Sequence, residues 1–338
     1  GVSFMVLWVN ASLAWIILRR GRGARLWAPS AAAAGLIASA WIYGDASLGR
    51  WEGVERNYQA AMLQGDIAFE EPEPVKADKF RNGYVRMADS IGPPPVDLLV
   101  LPESPTPVSF QFDSSYQRTF ENLARRYPLG MVFNNIRFAG GAGEDRYYNS
   151  AYFLDRNGNL AGIYDKIHLV PFGEYIPLKG ILPFTETISK DVGEFSAGRD
   201  YRVVKIGGHA ASAVICYEAV FPALVRRFAR DGSGLIINVT NDRWYGASAA
   251  PYQHLAIARW RAVENRRFVL RAANSGISAV IEPSGRIQSS TGLLRSAVCR
   301  GGFAFLEGRT FYTRHGDVFV FLCAIIVAGM FVVAIRGR

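Results

Sequence analysis

From Val318 to Ile335 the chain carries no charged residue, and the run stops at Arg336-Gly-Arg338. An apolar stretch of that length matches a helix crossing the hydrocarbon core of a bilayer. Two more runs of the same character open the chain. Gly1–Leu18 is apolar apart from Ser3, Asn10 and Ser12. Leu26–Gly44 has an alanine-rich middle, with Trp27, Trp41 and Tyr43 near its ends, where amphipathic rings suit the headgroup region. Between them lies a basic loop, 19–25, holding Arg19, Arg20, Arg22 and Arg25. Basic residues beside membrane segments mark the cytoplasmic side. Both arginine clusters then lie there, and 45–317 lies on the opposite face, which in a bacterium is the periplasm. The expected organisation is two transmembrane helices with a basic loop in 1–44, a globular domain over 45–317, and a C-terminal transmembrane helix over 318–335. The competing reading of 1–44 is a buried hairpin of a soluble protein. A chain that starts at Gly1, already inside an apolar run, reads as a fragment or processed chain.

Composition narrows what the central region can be. Half of the residues are hydrophobic, yet mean hydropathy is only +0.08, so the apolar excess is local. The net charge of +9 fits nucleic acid, an anionic membrane surface or neither. No familiar nucleic-acid motif occurs, and much of the excess is arginine beside apolar segments. The three cysteines, Cys216, Cys299 and Cys323, argue against a disulfide framework and against a cysteine-rich zinc site. The four histidines, His168, His209, His254 and His315, lack metal-ligand spacing, so neither metal nor cofactor is expected. Gly140-Gly-Ala-Gly143 is a loop rather than a phosphate cradle, since no Lys-Ser/Thr follows it.

Within 45–317, β-rich runs stand out at 60–63, 97–101, 131–133, 150–154, 211–216, 234–239, 268–272 and 277–281. Helix-like stretches at 117–127, 219–229 and 252–266 alternate with them, which predicts a layered α/β domain. The prolines at 93–95 and the stretch 70–74 read as loops.

Reactive side chains recur at the ends of β runs, where sites assemble in open α/β folds. Leu98-Leu-Val-Leu-Pro-Glu103 ends in a carboxylate, Gly162-Ile-Tyr-Asp-Lys166 in an ammonium, and Ala213-Val-Ile-Cys216 in a thiol followed by Tyr217 and Glu218. Together they suit acyl transfer through a thioester. The thiolate is the nucleophile, the carboxylate takes and returns its proton, and the ammonium stabilises the thiolate and then the tetrahedral oxyanion. Taken singly, each residue has a plainer reading: Cys216 as inert core, Glu103 as a loop carboxylate or helix cap, Lys166 as a solvated charge.

Longer motifs decide between these readings. Leu101-Pro-Glu-Ser104, Tyr164-Asp-Lys-Ile-His-Leu-Val-Pro-Phe-Gly-Glu-Tyr-Ile-Pro177 and Ile215-Cys-Tyr-Glu218 resemble the nitrilase (carbon–nitrogen hydrolase) superfamily and, within it, the apolipoprotein N-acyltransferase family. So do Asn238-Val-Thr-Asn-Asp-Arg-Trp-Tyr-Gly246, Pro251-Tyr-Gln-His254, Arg271-Ala-Ala-Asn-Ser-Gly-Ile-Ser278, Gln64-Gly-Asp-Ile67, Tyr147-Tyr-Asn-Ser150 and Tyr312-Thr-Arg-His-Gly-Asp317. The resemblance covers nearly the whole chain, and its most specific part is the His-Leu-Val-Pro-Phe-Gly-Glu-Tyr run, which generic amidases lack. It implies a four-layer αββα sandwich flanked by transmembrane helices, with Glu103 as general base, Lys166 as oxyanion stabiliser and Cys216 as nucleophile. Glu174 would be a second essential carboxylate, with a structural ion pair as its alternative role. Tyr217 and Glu218 would orient the site and Asn149 would support it. Trp244 and Tyr245 would line an acyl groove or belong to the core. His168 and His254 are expected to be structural hydrogen-bonders, and Cys299 and Cys323 packing residues.

The implied reaction moves a fatty acyl group from a phospholipid to Cys216 and then to the N-terminal amine of a diacylglyceryl-cysteine apolipoprotein, in a bacterial inner membrane. Two departures stand out. The family often has a tryptophan after the Gln-Gly-Asn strand, whereas 68–74 here has none, and the family has more membrane helices upstream. Two other functions fit the same triad or fold: a membrane-tethered amidase or nitrilase acting on a small carbon–nitrogen substrate, and a non-catalytic membrane scaffold.

Overall fold

The structure is a computed structural model and describes residues 1–18, 24–68, 70–103, 108–141, 144–177 and 195–336. Most of the basic loop 19–25, Ser104, and Ala142 and Gly143 of the glycine run lie outside the described residues. The chain forms two compact units, one of 55–316 and one of 1–54 with 317–338.

The larger unit is built on two six-stranded sheets. In chain order the strands are β1 (Tyr58–Gln64), β2 (Leu98–Val100), β3 (Gly130–Gly141), β4 (Glu144–Leu154), β5 (Leu160–Asp165), β6 (Val204–Ile206), β7 (His209–Ile215), β8 (Leu235–Thr240), β9 (Phe268–Ala273), β10 (Ala279–Ile281), β11 (Ile287–Ser290) and β12 (Ala297–Phe303). The first sheet runs β12-β1-β2-β3-β4-β5 and the second β11-β10-β9-β8-β7-β6. In each, three strands are parallel, β1-β2-β3 and β7-β8-β9, with antiparallel strands outside them. The central parallel strands are apolar over successive residues, as strands covered on both faces must be. Leu98–Val100 and Leu235–Thr240 are buried throughout.

Helices cover the outer faces. Ser114–Ala124 lays Tyr116, Phe120, Leu123 and Ala124 on the first sheet, against a core that includes Leu99, Met131, Phe133 and Tyr152. Its start is fixed by Asp113, whose carboxylate accepts from the backbone N–H groups of Ser115 and Tyr116. Pro222–Arg230 and Ala250–Asn265 serve the second sheet, burying Leu224, Val225 and Phe228 from one and Leu255, Ala258 and Ala262 from the other. The prolines that made 70–74 read as a loop instead stand at a helix start, Glu73–Asp78. Pro74 occupies the first turn, where its missing N–H costs nothing.

In the smaller unit, helices Val2–Leu18 and Ala24–Glu52 pack together, with Trp8 Nε1 donating to the Pro29 carbonyl at 3.2 Å. The second helix runs past Gly44, where the apolar run ends, through Asp45 to Glu52. Among the described residues one helix, Val318–Arg336, is long and apolar enough to cross a membrane; Val2–Leu18 is apolar but 17 residues long.

Candidate active site

Strand ends from both sheets converge. Glu103 lies three residues beyond β2, Lys166 directly follows β5, and Cys216 directly follows β7. The structure thus brings the three sequence-predicted residues into one cluster. Lys166 Nζ is 3.7 Å from Glu103 Oε1 and 2.9 Å from Glu174 Oε1, with only 1% of the lysine side chain exposed. An ammonium so far from water is tolerable only because two carboxylates face it. Burial works against its charge, but Glu103, the Cys216 sulfur and Glu174 together hold its pKa above the ordinary lysine value. The solvated reading of Lys166 is therefore excluded.

Asn149 on β4 organises the carboxylates. Its Nδ2 donates to Glu103 Oε1 and to Glu174 Oε1, each at 2.8 Å, and its Oδ1 accepts from Asn134 Nδ2 at 2.6 Å. The other oxygens are fixed by backbone: Glu103 Oε2 accepts from Asn241 N at 3.0 Å, and Glu174 Oε2 from Val170 N at 2.9 Å. Glu174 thus forms an ion pair with Lys166 inside the cluster.

Cys216 opens a short 3-10 turn, Cys216–Val220, and its φ of +51° lies in the left-handed region. A side chain in that region costs of order 1–3 kcal/mol, and such strain persists only where neighbours over-determine it. Glu218 supplies that constraint. Fully buried, its carboxylate accepts from Ile215 N at 2.8 Å, Tyr164 Oη at 2.7 Å, Ile167 N at 2.8 Å and His168 N at 3.1 Å. One side chain thereby ties the nucleophile turn to the loop carrying Lys166. Burial still pushes the Glu218 carboxyl above its ordinary value, against those four bonds. Tyr217 packs its ring edge-on to Phe221, 5.5 Å between centroids.

The thiol is 8% exposed at the residue level. Burial first, and then Glu103, push it up to about 12, outweighing the Lys166 ammonium.

A second buried cluster, of which the sequence had singled out only His254, as a structural hydrogen-bonder, sits behind the nucleophile. Asp242 Oδ1 is 2.9 Å from His254 Nδ1 and accepts from Thr240 Oγ1 at 3.1 Å, while Asp242 Oδ2 accepts from Arg271 Nη2 at 2.7 Å. His254 Nε2 lies 3.2 Å from the Cys216 carbonyl oxygen. Asp242 is held down at about 2: burial opposes its charge, but Arg271 and His254 more than compensate. Burial, with Arg271 beside it, holds His254 below its ordinary value. His168 instead lays its ring on Phe221, centroids 3.6 Å apart. Asp242, Arg271 and Thr240 all fall inside motifs already quoted. The available signal was a polar run, Thr240-Asn-Asp242, ending a buried apolar strand.

Trp244 is 73% exposed, which removes it from the core, while Tyr245 is half-buried and faces the His254 ring at 6.4 Å. The segment after β1 is anchored here too. Asn274 Nδ2 donates to Ile67 O at 2.7 Å and its Oδ1 accepts from Ile67 N at 3.0 Å. Arg243 lies 3.5 Å from Asp66 and 3.7 Å from Glu70.

Known proteins resemble the chain in sequence and in fold. The sequence model of the carbon-nitrogen hydrolase family matches residues 59–299. An apolipoprotein N-acyltransferase of Geobacter metallireducens is 38% identical over 99% of this chain and 64% of its own length. One from Bradyrhizobium diazoefficiens is 32% identical over all of this chain and 65% of its own length. The chain therefore spans just under two thirds of these relatives. Among solved structures, an amidase from Nesterenkonia sp. superposes with a TM-score of 0.55 at 20% identity, covering 78% of this chain and 94% of the amidase. Nit3 of Saccharomyces cerevisiae gives 0.53 at 20% identity, over 73% of this chain and 89% of Nit3. These two share the fold.

Proposed function

This chain belongs to the carbon-nitrogen hydrolase family, and from that membership we propose that it is an N-acyltransferase, moving a fatty acyl group from phospholipid through a Cys216 thioester to the N-terminal amine of diacylglyceryl-cysteine apolipoproteins. The observation that carries the reading is the extent of similarity. The solved amidase and Nit3 cover 78% and 73% of the chain, whereas the N-acyltransferase of Geobacter metallireducens covers 99% of it, the apolar flanks included.

Proton bookkeeping follows from the site. As the thiol attacks the ester carbonyl, its proton passes to Glu103 and the C–S bond forms. The oxyanion of the tetrahedral intermediate is met by the Lys166 ammonium, a preorganised charge in a dry site. Collapse breaks the C–O bond, and Glu103 returns the proton to the departing lysophospholipid oxygen. In the second half the apolipoprotein amine attacks the thioester, Glu103 takes the amine proton, the C–S bond breaks and sulfur recovers its hydrogen. Glu174 and Asn149 keep Lys166 and Glu103 in register, Glu218 holds the nucleophile turn, and Tyr217, Trp244 and Tyr245 border the approach of the acyl chain.

The membrane setting belongs to the same proposal. Val2–Leu18, the apolar part of Ala24–Glu52 and Val318–Arg336 would lie in a bacterial inner membrane, with 55–316 on the periplasmic side beside the outer leaflet. An acyl chain then moves into the site without complete extraction from the bilayer, a saving of about 0.8 kcal/mol for each CH₂ that stays in an apolar setting.

The test is intact mass of membrane-purified protein, wild type beside Cys216→Ser, after incubation with phospholipid and then neutral hydroxylamine. A fatty-acyl adduct on the wild type alone, removed by hydroxylamine, is the expected result. Ammonia release from small amides with no adduct would instead establish the amidase reading.

A further inference from the structure

A run of buried polar side chains leaves the strand that carries Cys216 and comes back to Cys216 itself. It starts at the Val214 carbonyl on β7, which accepts from Asn238 Nδ2 on β8 at 3.2 Å. Asn238 Oδ1 accepts from Arg271 Nη1 on β9, and Arg271 Nη2 donates to Asp242 Oδ2 at 2.7 Å. His254 Nδ1, from helix Ala250–Asn265, lies 2.9 Å from Asp242 Oδ1. His254 Nε2 closes the circuit at the Cys216 carbonyl oxygen, 3.2 Å away. Asn238, Arg271, Asp242 and His254 are all buried. Room for the Asp242 carboxylate is made by Gly276, where an added Cβ would come within 2.2 Å of Oδ2.

We infer that His254, oriented by Asp242, positions the Cys216 nucleophile by donating its Nε2 hydrogen to the Cys216 carbonyl. A carbonyl oxygen only accepts, so the contact is bonding when His254 carries hydrogen on Nε2. Nδ1 faces an acceptor, Asp242 Oδ1, and a donor, Arg271 Nη2 at 3.2 Å. With Nδ1 bare the ring is neutral and accepts from Arg271; with Nδ1 protonated it is a cation and donates to Asp242. Both forms keep the Nε2 hydrogen. Cys216 needs such a hold, because its φ of +51° is sterically costly. Glu218 secures the residue before it, through Ile215 N, and His254 secures the carbonyl of Cys216 itself. The inference rests on Cys216 being the nucleophile.

Two substitutions separate that hold from packing. A Gln side chain puts its amide nitrogen where Nε2 was, and Asn puts one where Nδ1 was. His254→Gln therefore keeps a donor for the Cys216 carbonyl, while His254→Asn keeps only the contact with Asp242. The measurement is the rate of iodoacetamide alkylation of the Cys216 peptide in the full chain at fixed pH, beside a thermal melt. It requires no lipid and so stands apart from the acyl-donor question. His254→Asn should alkylate about tenfold more slowly than wild type, the worth of one hydrogen bond at a group that must meet its base in the right geometry, with His254→Gln close to wild type. Acylation of His254→Asn by phospholipid should lose kcat with KM unchanged. Equal alkylation rates in the two variants, or rates that simply follow the melting temperatures, would make His254 a packing residue and overturn the inference. Should His254→Asn fail to fold, nitrogen NMR of the wild-type chain takes its place, with isotope-labelled histidine and His254 recognised by its proximity to a carbonyl-labelled cysteine. A hydrogen on Nε2 upholds the inference, and a bare Nε2 overturns it. Slowed alkylation of His254→Asn with no acyl adduct on the wild type would defeat the acyltransferase reading and leave this one standing.

Discussion

At the residue scale the site is a set of buried charges whose sums must close. Removing one partner leaves the others uncompensated, so Lys166→Met should destabilise the domain by about 3–5 kcal/mol in denaturant unfolding, beyond abolishing acylation. Glu103→Gln keeps an oxygen for the Asn149 or Asn241 donor. It leaves the other donor unsatisfied and takes one carboxylate from Lys166, so it should unfold at a lower midpoint than wild type, while lowering the rate of thioester formation by about 10²–10⁴, read by intact mass against time. Asp242 carries a pH signature. Its folded pKa is depressed from 3.8 to about 2. Its stabilisation is thus fully present above about pH 4 and is lost as pH falls through about 2. In Asp242→Asn that acid dependence should flatten between pH 4 and 2, around a lower overall stability. An unfolding curve with the wild-type slope in that window would contradict the assignment.

At the element scale, function rests on how strand ends are held. Cys216 follows β7 in a left-handed conformation, and Glu218 locks that turn to the loop after β5 through four accepted hydrogen bonds. Glu218→Ala orphans all four donors, and an unsatisfied buried donor costs about 1–3 kcal/mol. The variant should be the least stable of the single site changes by thermal melting, and hydrogen exchange at Ile167 and His168 should rise. The turn at Gly276 is constrained equally closely. Gly276→Ala drives a methyl against the Asp242 carboxylate, with an expected loss of about 1–3 kcal/mol by the same melt.

At the scale of the whole molecule there are two units: 55–316 holds the candidate site, and 1–54 with 317–338 holds the apolar helices. Val318–Arg336 is uninterrupted by charge until its last residue. If it spans the bilayer, Val327→Arg places a cation near its centre at a cost of about 2.5–3.5 kcal/mol, and the variant should move from the carbonate-resistant membrane pellet toward the soluble fraction. An unchanged distribution would assign membrane attachment to other segments.

The residues of the candidate triad and most β runs were legible from sequence: buried parallel strands are apolar throughout, which made Cys216 directly after one conspicuous, whereas Lys166, after the half-exposed antiparallel β5, was marked by its motif. Strands with mixed faces escaped that logic. β6 alternates buried and exposed, β11 is only half-buried, and β12 is interrupted by Arg300 and paired glycines, so none presents a continuous apolar run. The helix at Glu73–Asp78 escaped as well, since proline marks a loop and a helix start alike. Sequence by itself determined which residues could do chemistry and which segments could sit in lipid. Only the tertiary structure decided that Asn149 spans both carboxylates, that Glu218 bonds the turn to the loop after β5, and that Asp242, His254 and Arg271 gather behind Cys216. Those partners come from two strands, two short 3-10 turns and a helix, far apart in the chain. What fixes their roles is the desolvation of buried charge, which no residue has until the two sheets close over it.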